Sequence, residues 1–229
     1  MSPRLNHVLA ASLVAGAALL AGCDKVASPS SSAGAASGAV AGVGNATATA
    51  GTSGTAPAKF NAVDLTGAEY AHDLKLADPD GKTRTLADWK GDDVVVFFGY
   101  THCPDACPTM LADLAAAKKA MGPDGAKVQV VFVTVDPARD TAALMKAYAA
   151  NFGPQFIGLR GDDAQTQATA KEFKVFYAKV PGKTPDDYTM DHTAGAYVFD
   201  PAGRLRLFVR GGSTPETMAE DFKALLHGA

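Results

Sequence analysis

The chain has little cysteine, little histidine and little net charge, and each shortage narrows what it does. Among its 229 residues only three are Cys and five are His. The formal net charge of −3 leaves no basic footprint, which excludes a nucleic-acid partner. The apolar run Val8 to Ala21, VLAASLVAGAALLA, is shorter than the about 20 residues that a membrane-spanning helix needs. From Asp24 to Lys59 large apolar side chains are almost missing, which excludes a packed core in that stretch. The two neighbouring cysteines, Cys103 and Cys107, are separated by three residues, so the C-x-x-C spacing of thioredoxin-type exchange is lacking too.

What is there begins with a targeting segment. Arg4 is the only formal charge before Cys23, and the apolar run that follows ends in small residues. A charged start, an apolar middle and a small-residue end describe a secretory signal. The ending Leu20-Ala21-Gly22-Cys23 resembles the lipobox of bacterial lipoproteins, in which the cysteine thiol is acylated and becomes the new N-terminus. Residues 1–22 are therefore expected to be a lipoprotein signal peptide, with Cys23 as the lipidation site. Residues 23–59, rich in Ser, Ala, Gly, Thr and Pro, are expected to be a lipid-anchored disordered linker. As a flexible coil it would span roughly 30–35 Å. Asp24 resembles the inner-membrane retention signal of some bacterial lipoproteins. The expected location is thus the extracytoplasmic, periplasmic face of the bacterial inner membrane.

Residues 60–229 are long enough for one core. Asp78-Pro79-Asp80-Gly81, between short alternating arms, predicts an N-terminal hairpin. Val94 to Phe98 and Val128 to Val135 are apolar runs of the kind buried on both faces of a sheet. Between them lies a helix with Met110, Leu111, Leu114 and Met121 on one face, stopped by Gly122-Pro123-Asp124-Gly125. Further helices are expected over 139–152, with Leu144, Met145 and Tyr148 inward, and over 162–173. Phe156 to Leu159 is a short strand, and a polar loop runs from Pro181 to Asp191. A second hairpin flanks Asp200-Pro201-Ala202-Gly203, and Ser213-Thr214-Pro215-Glu216 opens the last helix. This order predicts an α/β protein with a thioredoxin-like fold and an added N-terminal β-hairpin.

Cys103 and Cys107 sit in the turn between the first long strand and its helix. Outside the cytoplasm such a pair can be a structural disulfide, yet a bridge closing so small a loop constrains the unfolded chain little. A helix N-terminus is expected to depress thiol pKa, and one turn of helix points both sulfurs the same way. A peroxidatic cysteine would want Thr or Ser where this chain has Tyr100, and no proline stands at Val96. Redox exchange and soft-metal binding remain. Two thiolates make an incomplete site, so a third ligand is sought among the histidines. His7 lies in the signal, His72 in a polar surface context, and His227 near the C-terminus. His102 adjoins Cys103, and adjacent residues seldom face one ion. His192 precedes the strand at 194–199, whose entry passes beside the cysteine turn in a thioredoxin-like fold; no X-Pro stands there. It is either the third ligand or a surface histidine.

The stretch Phe98 to Pro108, FGYTHCPDACP, resembles the signature of the Sco/SenC family of copper-binding cytochrome oxidase assembly proteins. Val135-Asp136-Pro137-Ala138-Arg139-Asp140-Thr141 resembles that family's V-D-P-x-R-D segment. Tyr188 to Gly203, with Asp191-His192 and Asp200-Pro201-x-Gly203, resembles its third block. The blocks occur in the family's order and cover most of residues 70–225. Thr109 departs from the pattern, since many relatives have Glu there. The resemblance implies that Cys103, Cys107 and His192 are copper ligands. It places Asp136 beside the site without ligating; the plainer reading has Asp136 capping a helix that begins near Arg139. Thiolates suit Cu(I) and an added imidazole makes Cu(II) tolerable, so the set holds both states. A structural zinc site would normally carry four protein ligands. The implied function is a membrane-tethered copper chaperone for the CuA centre of cytochrome c oxidase. Its implied partners are the CuA-bearing subunit, a periplasmic copper donor and, through the lipid anchor, the membrane. The alternatives are a thiol–disulfide oxidoreductase that reduces the acceptor's cysteines, or a copper-responsive redox sensor.

Overall fold

Two β-branched and aromatic runs make the centre of a six-stranded sheet. In the computed structural model, which describes residues 60–184 and 187–229, these are β4 (Asp93–Gly99) and β5 (Val128–Thr134), paired in parallel from Asp93 opposite Val128 to Gly99 opposite Thr134. The signal and linker expected over 1–59, with Cys23, lie outside the described residues. Every residue of β4 is buried, as a strand covered on both faces must be.

The remaining strands are β1 (Val63–Asp64), β6 (Phe156–Leu159), β9 (Gly195–Phe199) and β10 (Leu205–Arg210), and the sheet order is β1-β10-β9-β4-β5-β6. β6 continues the parallel side; β9, β10 and β1 are each antiparallel to their neighbours. The helices are α1 (Ala106–Ala120), α2 (Ala142–Ala150), α3 (Asp163–Glu172) and α4 (Pro215–Leu226). Their arrangement around a mixed sheet is thioredoxin-like. The predicted turn at 78–81 joins β2 (Leu76–Ala77) to β3 (Thr83–Arg84), which pair with each other apart from the main sheet. Asp78 holds that turn by accepting the Asp80 and Lys82 amides and the Arg84 guanidinium.

The two faces of β4 are filled differently, following the period of two along a strand. Phe98 meets Phe173, just past α3, which also packs on Tyr197 and Phe199 of β9. On the opposite face Phe97 stacks on Phe132, which in turn meets Tyr148 of α2. Met110, Leu111, Leu114 and Met121 are all buried, as their helical spacing predicts. α4 starts where its residues predict, with Thr214 accepting the Thr217 amide and Pro215 in the first turn.

Three expectations are corrected. α2 begins at Ala142 and not near Arg139, because the side chain of Thr141 caps it by accepting the Leu144 amide. Leu144 is consequently exposed, while Met145 is buried and Tyr148 half-buried. The stretch expected as a loop holds a strand, β8 (Tyr188–His192), paired antiparallel with β7 (Tyr177–Pro181) in a two-stranded sheet of its own.

Candidate metal centre

The end of β4, the start of α1 and the end of β8 bring three soft-metal donors together. Cys103 lies in the turn after Gly99, Cys107 is the second residue of α1, and His192 is the last residue of β8. One ligand atom from each lies within 4.8 Å of the other two. Both thiols are free. Cys107 Sγ is 3.4 Å from His192 Nε2, and the Cys107 amide donates to Cys103 Sγ at 3.3 Å. The bond to Cys103 Sγ uses one of the unpaired amides that every helix N-terminus offers.

The chain reaches this geometry through a missing side chain. A Cβ at Gly99 would stand 2.8 Å from both Cys107 Sγ and Phe132 Cε2. Glycine here gives the sulfur its seat on the sheet. Phe97 and Tyr100 form aromatic walls around the imidazole, with ring centroids 6.0 and 6.1 Å from it. A cavity of about 240 Å³ opens beside it, between Phe97, Ala106, Met110 and Ala194, with Asp105 and Asp113 in its lining.

Burial lowers the His192 pKa, so the ring is neutral at pH 7. His192 Nδ1 lies 3.1 Å from the Thr193 carbonyl, which only accepts, so Nδ1 carries the proton and Nε2 presents its lone pair to Cys107. Cys107 departs from expectation. Burial pushes its thiol well up, against the depression expected at a helix start. The sulfur is fully inside the protein, facing Gly99 and Phe132, and desolvation of a thiolate there outweighs the helix field. An added cation is what would make that sulfur a thiolate.

Asp136 does not reach the three donors and does not cap α2. It is buried and takes Tyr188 Oη at 2.9 Å on one oxygen and Arg139 Nε at 2.5 Å on the other. Arg139 Nη1 also donates to the Tyr188 carbonyl at 3.0 Å, and its guanidinium lies 3.5 Å from the centre of the Tyr188 ring. Lys179 Nζ stands 3.6 Å from the same ring centre. Asp136 therefore fastens the strand that carries His192. Asp140 serves the cysteine turn in the same way. Wholly buried, it accepts the Thr101 amide and the hydroxyls of Thr101 and Thr134. Asp140, Arg139 and Tyr188 were not singled out from the sequence, although each stands in a block quoted for the family resemblance. His102 is exposed and turned toward Asp140, outside the donor cluster. His72 is exposed, and His227 faces Asp124 at the end of α4.

Comparison with known proteins agrees with this architecture. The family model described as SCO1/SenC matches residues 63–227. A SCO2-like protein of Rickettsia felis is 35% identical over 152 residues, covering 66% of this chain and 74% of that protein. The structure of Bradyrhizobium japonicum ScoI with copper bound is 44% identical, with a TM-score of 0.61, covering 67% of this chain and 97% of that one. Arabidopsis thaliana ScoI with copper bound gives 30% identity and a TM-score of 0.64, over 69% of this chain and 98% of its own.

Proposed function

This chain belongs to the SCO1/SenC family, and on that premise we propose that it is a membrane-tethered copper chaperone for assembly of the CuA centre of cytochrome c oxidase. The observation that carries the reading is the convergence of Cys103, Cys107 and His192 within 4.8 Å. The donors fit the cargo: two sulfurs and a neutral imidazole form a set for Cu(I) and Cu(II), and they number one fewer than a closed zinc site uses. Cys107 is buried and Cys103 half-buried, so an acceptor thiolate approaches from the Cys103 side. Copper then passes by exchange, each acceptor thiolate replacing one donor of this chain. The acceptor in this reading is the CuA-bearing subunit, with a periplasmic copper donor upstream. Cys23 would carry the lipid and residues 23–59 the tether, holding the domain at the periplasmic face of the inner membrane.

One observation favours a second reading. The thiols are free and unequally exposed, the arrangement of an exchange pair. Cys103 thiolate would attack an acceptor disulfide and expel one acceptor thiolate; Cys107 would then resolve the mixed disulfide. The acceptor leaves reduced by two electrons and Cys103–Cys107 is left as a disulfide.

His192 separates the two, because exchange needs only the sulfurs. Reduced chain titrated with Cu(II) is expected to give a sulfur-to-copper charge-transfer band, and His192→Ala to weaken the complex. No band in the wild type, or an equally tight complex in the variant, would overturn the copper site. Full oxidase assembly in a strain carrying His192→Ala would favour thiol exchange.

A further inference from the structure

The cavity beside the imidazole has apolar walls and an acidic edge. His192 is one of its lining residues, so it opens onto the face where copper would be exchanged. Phe97 and Met110, both buried, supply apolar walls, and Gly211 and Gly212, just after β10, supply a wall of bare backbone. Asp105 and Asp113 line it from the α1 side. They stand eight positions apart (113 − 105 = 8), about two turns on one helix face and about 12 Å along the axis. Among the described residues neither carboxylate is in an ion pair, and the side chain of Asp105 meets only the Thr109 hydroxyl, at 3.4 Å. At about 240 Å³ the cavity is smaller than the roughly 300–1,000 Å³ of small-molecule sites, so it suits a single side chain of a partner. Apolar walls that lead to carboxylates match a side chain with an apolar stem and a cationic head, which is Lys or Arg.

We propose that this cavity seats an Arg or Lys side chain of the copper acceptor, carried beside the cysteines that receive the metal, with Asp105 and Asp113 as its counter-charges. The inference rests on the copper reading above. Position identifies the occupant: an acceptor that brings its thiols to Cys103 and His192 lays its own chain beside a cavity that His192 lines. Charge supplies the reason. Cu(I) held by two thiolates carries one net negative charge, and an arriving thiolate adds a second. A cation seated beside the centre offsets that charge as it builds, and the two carboxylates hold the cation there. The exchange itself moves no electrons. Each arriving thiol releases its proton as it binds Cu(I), and Cys103 and Cys107 take up protons as they let go.

The test mixes the full chain, loaded with Cu(I), with synthetic Cys-x-x-x-Cys peptides that carry arginine, its uncharged analogue citrulline, or glutamate beside either cysteine. Stopped-flow absorbance reads the rate of copper transfer. Arginine is expected to beat citrulline by about fivefold at one flank at least, the scale of a partly exposed ion pair, and glutamate to be slowest. The advantage should shrink in about 0.5 M salt. It should vanish when Asp105→Asn and Asp113→Asn are combined, with the Cu(I) dissociation constant unchanged because neither carboxylate is among the three donors. Thr109→Lys is the second variant: exposed and lining the same cavity, it supplies a cation from within and should cancel the arginine advantage too. Equal rates for arginine and citrulline at both flanks, or an advantage that survives in both variants, overturn the inference while leaving the copper site standing. Failure of the wild type to bind Cu(I) overturns both.

Discussion

Asp93 opens β4 at its N-terminal end, and replacing its carboxyl by an amide should give the chain a growing advantage over the wild type as pH rises. The carboxyl is fully buried, and neither oxygen has a partner among the described residues. Burial raises its pKa to about 8, with the Asp200 and Asp92 carboxylates adding to the effect and Arg206 opposing it. The unfolded value is about 3.9. Between these two values the native state holds one proton that the unfolded state has released. Stability therefore falls as pH rises, by about 1.4 kcal/mol for each unit. From pH 5 to 7 that amounts to about 2.7 kcal/mol, and the loss levels off above about pH 8. An amide at this position cannot ionise, so Asp93→Asn should gain on the wild type along this line, whatever its fixed offset. Urea unfolding of both chains at pH 5, 6, 7, 8 and 9 reads the difference directly. A difference that stays flat from pH 5 to 8 would refute the reasoning, because it would mean that Asp93 ionises inside the fold without penalty.

Gly99→Ala puts a methyl 2.8 Å from Cys107 Sγ. It should cost about 1–3 kcal/mol in urea unfolding and weaken Cu(II) binding, since the sulfur must leave its seat. Arg139→Ala strips the buried Asp136 of its guanidinium and frees the Tyr188 ring. A loss of about 2–3 kcal/mol is expected, below the range for fully buried pairs because Arg139 is partly exposed. Arg139→Lys should restore only part of it, lacking the planar fork. For the anchor, Cys23→Ser should move the chain from the membrane to the soluble fraction on cell fractionation; retention at the membrane would exclude lipidation at that residue.

The sheet was legible in the sequence where burial on two faces imposes its own pattern. Val94 to Phe98 and Val128 to Val135 are apolar and β-branched almost without a break, and both form strands with ends within a residue of those expected. The donors were legible for a different reason: spacing narrowed Cys103 and Cys107 to two chemistries, and the resemblance supplied His192. What could not be read lies in tertiary contact. Tyr188 to His192 is too polar to announce a strand, and it is one only because Tyr177–Pro181 pairs with it. The raised pKa of Cys107 is not legible in the sequence, because helix position is written there whereas full burial of the sulfur is not. Asp136 stands where a helix cap is expected from sequence, yet Thr141 has that role. Its carboxylate serves a residue 52 positions further along, a distance no local pattern encodes.

The separate pairing of β7 with β8 sets His192 apart from Cys107 in how each donor can be lost. Cys107 is packed into α1 against the main sheet, so its release is bound to disruption of the core. Among the described residues, the hairpin that carries His192 shares no ladder with that sheet. The Asp136–Arg139–Tyr188 contacts fasten it to the body of the domain, while two bonds between Phe176 and Thr193 only close the hairpin on itself. Opening such a unit costs its own contacts and leaves global stability untouched. His192 can therefore depart on a faster clock than Cys107. The imidazole can leave the two sulfurs while the rest of the protein stays folded, and amide exchange in residues 188–192 would report how often that door stands open.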